Sequence, residues 1–140
     1  MVAALKQLPP TEKEEVSEPP GPTRKRLPNT RASIVHEFCI GGHRGCITVG
    51  LYPDGSPGEL FIEMSKQGST IRGLMDAIGV LASLAFQYGV PLESIATKFD
   101  GARFEPQGVA IGSEINFATS VLDYVFRWMQ MRFGEGHTVR

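Results

Sequence analysis

The stretch that most constrains the fold of this chain runs from Gly58 to Phe99. It begins with an alternating apolar pattern over ELFIEM, passes through a short polar turn, and continues with apolar residues at steps of three and four. Those steps place apolar side chains along one face of a helix. The sequence therefore predicts a strand and then a long amphipathic helix, opened by Ser69 or Thr70 as its cap and ended near Gly89.

Two further helices are expected after this stretch. Pro91 sits where the first turn of a helix tolerates proline, so a short helix is predicted from about Leu92 to Lys98. The segment 102–112 has the composition of a loop. A last helix is predicted to start at Ser113 as its cap, with its core-facing positions at Ile115, Ala118, Leu122 and Val125.

Two more strands are expected before Gly58. SIVHEFCI alternates and is followed by Gly41 and Gly42, a turn signal, and CITVGLY alternates again before a turn rich in proline and glycine. Strands joined by tight turns favour antiparallel pairing. The predicted fold class is α+β: a three-stranded antiparallel meander covered by about three helices.

The two ends of the chain differ from this pattern. Six of the ten prolines fall within residues 1–30, beside the acidic run around Glu14 and the basic cluster around Lys25. Such a segment buries too little apolar surface to offset its ordering entropy, so residues 1–30 are predicted to form a disordered arm. The folded domain is expected at 31–133, followed by a frayed tail at 134–140.

Composition narrows the classes of function. With 140 residues and a formal net charge of −1, the chain is expected to form one domain without a general attraction to nucleic acid or acidic membranes. Cys39 and Cys46 are too few for a disulfide framework. There is no obvious apolar run of bilayer length and no signal-peptide pattern at the start, so a cytoplasmic location and no membrane partner are predicted.

Four side chains of the first two strands have the chemistry of zinc ligands. His36, Cys39, His43 and Cys46 follow the spacing H-x2-C-x3-H-x2-C. Residues three apart on a strand point to opposite faces, however, and no CxxC knuckle is present. The alternative is a strand histidine, a turn histidine and two cysteines that pack as small apolar groups.

A second candidate site lies at the start of the long helix. Lys66, Gly68, Ser69 and Thr70 precede or begin it, where free N–H groups and the helix dipole favour an anion such as a nucleotide phosphate. The stretch lacks the spaced glycines of a P-loop, so simple helix capping is the alternative.

The remaining candidates concern partner binding. Arg103 and Glu105, in the loop sequence RFEP, either pair with each other or receive a partner's charges. The last helix is expected to carry an apolar stripe that is a candidate self-association surface. Its members are Phe117, Val121, Tyr124 and Trp128. No combination of nucleophile, base and orienting residue forms an active site.

Three segments, ITVGLYPDGSPGELFIEM, KQGSTIRGLMDAIG and LAFQYGVPLE followed by KF and RFEPQG, carry a family resemblance. They resemble a region near the C-terminus of adenosylcobalamin-dependent, class II ribonucleotide reductases, which is associated with the TSCPD domain. The resemblance extends from Arg26 to Trp128. In that family the region lies between the catalytic barrel and a cysteine-containing tail.

The resemblance implies an accessory role. The family reduces ribonucleotides through a thiyl radical generated by the cobalamin, using barrel cysteines and a redox pair in the tail. None of those catalytic or cobalamin-binding residues maps onto this sequence, so no cofactor is expected to bind this chain. The first hypothesis is a stand-alone non-catalytic domain that binds a reductase subunit or itself.

Two alternatives remain open at this point. The chain is either one component of a split ribonucleoside-diphosphate reductase, acting in deoxyribonucleotide synthesis, or a nucleic-acid or nucleotide-binding module. The last would use the basic segment TRKRLPNTR with Lys66 and Arg72, although a net charge near zero argues against broad DNA binding.

Overall fold

The computed structural model describes residues 21–64 and 68–134, which form an α+β fold. Its elements in chain order are β1 (Ser33–Ile40), β2 (His43–Leu51), β3 (Pro57–Met64), α1 (Ser69–Gln87), α2 (Leu92–Phe99), β4 (Gly108–Ile111), β5 (Phe117–Ala118) and α3 (Val121–Phe133). Residues 1–20 of the predicted arm and residues 135–140 of the predicted tail lie outside the described residues.

The predicted meander is confirmed. β1 pairs with β2, and β2 pairs with β3, both antiparallel. The turn between β1 and β2 uses Gly41 and Gly42 at φ of 55° and 85°, a backbone region that residues with a Cβ rarely adopt. The helical cover of one face is confirmed as well, with three helices in the described residues.

The sheet extends beyond the predicted meander. Its order is β3-β2-β1-β4-β5, with five strands. β4 lies inside the segment predicted as loop and pairs with β1 through Cys39 and Ile111, while β5 pairs with β4 through Val109 and Phe117. Both added strands are too short to show an alternating pattern, and their pairing with distant residues defines them.

The last helix begins later than predicted, and the prediction that Ser113 caps it is wrong. The cap is Ser120, whose Oγ accepts a hydrogen bond of 3.0 Å from the backbone N–H of Asp123. The Oγ of Ser113 instead accepts the N–H of Ile115 at 3.2 Å. Ile115 and Ala118 are buried as expected, but they lie before the helix. Their separation of three residues matches helical spacing, although neither is helical.

The end of α1 is as predicted, but its start is not. Its N-cap is Gly68 and no side chain caps it, so the prediction of a Ser69 or Thr70 cap is wrong. At the other end Gly89 has a φ of 93°, and the N–H of Val90 reaches the carbonyl of Ala85 at 2.9 Å. Those features form the predicted glycine-terminated end.

α1 packs on β3 along one side only. The N–H of Leu60 donates to Ser83 Oγ at 2.8 Å, and Gln87 Nε2 donates to the carbonyl of Gly58 at 2.9 Å. α1 therefore covers the outer edge of β3 at Gly58 and Leu60. By length and composition α1 is also the one helix of the described residues apolar enough to cross a membrane, a test that core helices pass as well.

α3 covers β1, and this changes the interpretation of the apolar stripe. Trp128 stacks on His36 with ring centroids 4.5 Å apart, and Tyr124 stacks on Phe38 at 4.5 Å. Val121 is fully buried too. The prediction of a self-association stripe on this helix is therefore wrong, because three of its four residues belong to the core and Phe117 lies on β5.

The last part of the predicted arm lies against the domain. Arg24 Nε donates to Gln87 Oε1 at 2.7 Å, and the N–H of Lys25 donates to the carbonyl of Gln87 at 2.8 Å. The hydroxyl of Tyr52 donates to the carbonyl of Lys25. Leu27 packs beside Gly58. This segment therefore contributes to the folded structure before the first strand begins.

Candidate functional site

The four candidate zinc ligands are not brought together. Residues paired across antiparallel strands point to the same face, and His36 pairs with Ile47 while Cys46 pairs with Glu37. The two histidines therefore share the helix-covered side with Ile40, and the two cysteines lie on the opposite side. No group of three potential ligands able to hold a metal occurs within residues 21–64 and 68–134.

The candidate anion site is only partly visible, because Lys66 lies outside the described residues. Gly68, Ser69 and Thr70 are exposed at the start of α1, and the carbonyl of Gly68 accepts the N–H of Arg72 at 3.1 Å. Arg72 also approaches Glu63 at 3.9 Å. Anion binding at this helix start stays a prediction.

Arg103 and Glu105 are linked through a third residue rather than to each other. Arg103 Nη1 donates to Gln107 Oε1 at 3.2 Å, and Gln107 Nε2 donates to Glu105 Oε2 at 3.0 Å. Both charged side chains are exposed, and a cis bond joins Glu105 to Pro106. The three side chains brace the loop before β4, and a role in partner binding stays a prediction.

One hydrogen-bonded chain was not visible in the sequence. Tyr124 OH lies 2.9 Å from His36 Nε2 and 2.9 Å from Ser113 Oγ. Burial lowers the pKa of His36, and the charge of Arg132 adds to that effect. Burial also raises the pKa of Tyr124. The neutral imidazole of His36 and the neutral phenol of Tyr124 therefore hydrogen-bond to each other inside the domain. These hydrogen bonds belong to the core.

The open side of the sheet is the most distinctive surface of the described residues. Five large apolar side chains on it are between 53% and 64% exposed, namely Val35, Phe61, Val109, Ile111 and Phe117. Strand pairing places all of them on the side that the three helices leave uncovered. Val35 and Phe61 form one group, and Val109, Ile111 and Phe117 form another. Large apolar side chains grouped on a free sheet surface favour a contact with another macromolecule.

The open side is organised in cross-strand rows. Val35, Thr48 and Phe61 form one row, and Arg44, Cys39 and Ile111 form another. Between them lies the row Glu37, Cys46 and Glu63, whose two acidic residues are two strands apart, or about 10 Å between their backbones. This row separates Val35 and Phe61 from Ile111. Arg44 and Arg72 line the same hollow as the row, so the centre carries charges of both signs.

The chemistry of Cys46 argues against nucleophilic catalysis on this surface. Burial raises the pKa of its thiol, and the neighbouring charges of Glu37 and Glu63 raise it further. A thiol held in the protonated form is a poor nucleophile and a poor metal ligand. The surface can bury apolar groups against a partner, and Cys46 is not an activated group on it.

A groove beside α1 offers a second concave surface. It has a volume of about 400 Å³ and lies between α1 and the outer edge of β3, with Met75, Val80 and Arg24 in its lining. That volume suits a drug-sized ligand. A corrinoid is a much larger molecule, and the groove presents no histidine or cysteine to its metal, so the residues here do not fit one.

The sequence carries a signal for the open side at two positions. Val35 and Phe61 occupy positions where alternation predicts solvent, and both are large and apolar. Their alignment through Thr48 depends on the register of three strands. Val109, Ile111 and Phe117 lie on the two strands that were not predicted, and spacing along the chain does not group them with Val35.

Comparisons with known proteins identify the family of this chain. The family profile described as the TSCPD domain matches residues 18–133. The chain is 54% identical over 116 residues to a vitamin B12-dependent ribonucleotide reductase of Rhodopirellula baltica, covering 83% of this chain and 11% of that protein. No solved structure matches.

Other relatives bear the same name. The chain is 46% identical over 112 residues to a vitamin B12-dependent ribonucleotide reductase of Streptantibioticus cattleyicolor, which covers 80% of this chain and 19% of that protein. It is 40% identical over 111 residues to one of Agrobacterium fabrum, covering 79% of this chain and 9% of that protein. The chain thus spans less than a fifth of the relatives it matches, and its matched residues include every described strand and helix. The chain belongs to the TSCPD domain family.

Proposed function

We propose that this chain acts as a non-catalytic protein-binding domain in ribonucleotide reduction, and that it binds its partner through the open side of the sheet. The observation that carries this proposal is the set of five exposed apolar side chains on a sheet that has helices on one side only. An antiparallel sheet normally presents polar residues to water on its free side. Apolar residues at these positions favour burial against a partner.

The arrangement of the rows indicates the chemistry of that partner. The exposed apolar residues require a matching apolar surface, and the charged residues between them favour a partner with polar groups of both signs at the centre of the contact. The raised pKa of Cys46 argues against a nucleophilic role for its thiol.

The nature of the partner is proposed from the relatives. Because they are named vitamin B12-dependent ribonucleotide reductases, we propose that the open side of the sheet contacts a reductase of that type. The cobalamin would be held by that enzyme and not by this domain. The expected location is the cytoplasm.

Capture of the tagged full chain from its native cells tests the proposal, with the amount of vitamin B12-dependent reductase measured by mass spectrometry. We expect the reductase with the wild type and a strong loss with Ile111→Asp or Phe61→Asp, which place a charge among the exposed apolar residues of the open side. Val90→Asp changes an exposed residue away from the sheet and should preserve capture. Equal recovery with all variants, or no reductase with the wild type, would contradict the proposal.

A role as one component of a split reductase is the second candidate, favoured by the high identity to full reductases. Adding the purified chain to the captured reductase and measuring nucleotide turnover separates the two. Binding without a change of turnover supports the non-catalytic role. A turnover that depends on the added chain supports the split enzyme.

A further inference from the structure

α1 has two apolar sides, and only one of them is used in the fold. The inner side packs on β3 through Met75, Gly79, Ala82 and Phe86, which are all buried. The outer side carries Leu74, Leu81 and Tyr88, which are 53%, 67% and 46% exposed. These three residues are seven positions apart, so they lie above one another on successive pairs of turns. The outer side lies away from the open side of the sheet.

The outer residues follow the spacing of a coiled coil. We define the α1 seam as Thr70, Leu74, Ala77, Leu81, Leu84 and Tyr88. The steps between its members are 4, 3, 4, 3 and 4 residues, which is the spacing of the a and d positions that contact a partner helix. The informative feature is that Leu74, Leu81 and Tyr88 occupy this spacing while exposed, because a helix side that only faces water is normally polar.

The α1 seam is also symmetric about the level of Gly79. An antiparallel copy of α1 with its two-fold axis at that level places Leu74 opposite Leu84, Ala77 opposite Leu81, and Thr70 opposite Tyr88. Two of the three kinds of pair combine a small side chain with a large one, which helps opposing layers to interdigitate. Two-fold contacts require this kind of self-complementary surface.

From this symmetry we propose that the α1 seam is a self-association surface, on which α1 of a second copy of this chain packs antiparallel. The inference is independent of the proposed function, because it concerns a different surface. It also replaces the buried stripe on α3 as the surface through which self-association would occur.

The charges of α1 are compatible with this pairing. Its only charged residues are Arg72 and Asp76, and neither belongs to the α1 seam. Arg72 approaches Glu63 of β3 at 3.9 Å, and Asp76 lines the groove beside β3. Neither charge therefore has to be buried between the helices, and no like charges face each other across the seam.

The size of the contact sets the expected strength. At 1.5 Å per residue, α1 is about 28 Å long and offers roughly five turns. A contact of one helix pair is smaller than a standard interface of about 800 Å² per partner. We therefore expect a reversible dimer with a Kd on the order of 1–100 μM rather than a permanent one.

Sedimentation equilibrium of the full chain tests the dimer. We expect Leu81→Glu to raise the dimer Kd by on the order of 100-fold, because it buries an unpaired carboxylate in the contact. Val109→Glu introduces the same charge at a similarly exposed residue on the open side of the sheet and should leave the Kd unchanged. Circular dichroism checks that both variants remain folded.

A charge exchange tests the antiparallel orientation. Leu74→Lys and Leu84→Glu should each weaken the dimer, and the double variant should restore it, because the two new charges face each other only in an antiparallel pair. A double variant as monomeric as the single ones would overturn the proposed orientation.

Two other results would overturn the proposal as a whole. One is a wild type that stays monomeric at its highest soluble concentration, and the other is a dimer unaffected by Leu81→Glu. Sedimentation with vesicles of phosphatidylcholine and phosphatidylglycerol is a further test. A monomeric wild type that sediments with vesicles in a Leu81-dependent manner would assign the seam to a membrane surface instead.

Discussion

The carboxylate of Asp123 joins three segments of the chain near the start of α3. Its side chain accepts the N–H of Gly101 at 2.7 Å and that of Thr119 at 3.0 Å, and it forms an ion pair with Arg127 at 2.8 Å. Only 3% of Asp123 is exposed. Burial would raise its pKa, but the two N–H groups and the guanidinium outweigh burial and lower it.

We expect Asp123→Asn to lower the free energy of unfolding by about 2–4 kcal/mol, because it removes a buried charge that three donors require. Chemical denaturation measures the change. Asp100→Asn makes the same substitution at an exposed residue and should change the free energy by less than about 0.5 kcal/mol. Similar losses in both variants would contradict the role assigned to Asp123.

His36 makes the stability of the domain depend on pH. Its pKa is below the ordinary value of 6.5, because the neutral ring is enclosed by Trp128 and Tyr124 and lies near Arg132. The unfolded chain therefore takes up a proton at a higher pH than the folded one. The stabilising effect of neutral His36 is fully present above about pH 6.5 and is lost progressively as the pH falls toward the folded-state pKa.

The corresponding measurement is the Tm between pH 8 and pH 5. We expect the Tm of the wild type to fall below about pH 6.5, and the Tm of His36→Gln to fall less steeply because the substituted side chain does not titrate. His43→Gln alters an exposed histidine and should retain the wild-type slope. If the Tm of His36→Gln falls with pH as steeply as that of the wild type, the pH dependence comes from other groups.

At the scale of the elements, the contact between α1 and β3 depends on the missing side chain of Gly79. A Cβ at this position would lie 2.7 Å from the carbonyl oxygen of Leu60, which is backbone and cannot move aside easily. The close approach also lets Ser83 Oγ reach the N–H of Leu60 at 2.8 Å. Helix propensity alone would disfavour glycine here.

Gly79→Ala is therefore expected to lower the free energy of unfolding by about 1–3 kcal/mol through overpacking. The matched variant is Gly73→Ala in the same helix, where a Cβ meets nothing within 4 Å. It should raise the free energy of unfolding by about 0.5–1 kcal/mol, because alanine has the higher helix propensity. Changes of the same sign in both variants would show that α1 does not approach β3 this closely.

At the scale of the whole molecule, the segment before β1 fastens the end of α1 to the turn after β2. Arg24 and Lys25 bind Gln87, and the carbonyl of Lys25 accepts the hydroxyl of Tyr52. The ammonium of Lys25 lies 5.1 Å from the centre of the Tyr52 ring. Part of the basic segment that a nucleic-acid or nucleotide-binding module would use is thus engaged within the domain.

Two truncations measure this contribution. We expect deletion of residues 1–27 to lower the free energy of unfolding by about 2–4 kcal/mol relative to deletion of residues 1–22, because it removes three hydrogen bonds and the contact of Leu27. Thermal and chemical unfolding of both proteins provide the comparison. Equal stability of the two would show that the segment adds nothing to the fold.

The elements that were predictable are those with a local signal. Alternation over Ser33–Ile40 and the glycines after it define β1 and its turn, and Gly89 defines the end of α1. β4 and β5 were missed because their identity comes from pairing with Cys39 and Val109. The start of α3 has a local signal, Ser120 followed three residues later by Asp123, but Ser113 offers a competing cap. A four-residue strand and a two-residue strand contain too few positions for a period to be recognised.

The sequence by itself determined the fold class, the meander, the family and the periodic surfaces of α1, because each of these depends on spacing along the chain. Only the tertiary structure decided which side of each element meets water. It enclosed Tyr124 and Trp128 against His36, separated the histidines from the cysteines, and left Phe61 and Leu81 exposed. The physical reason is that burial depends on how distant elements pack, and a periodic pattern does not specify the partner of an apolar face.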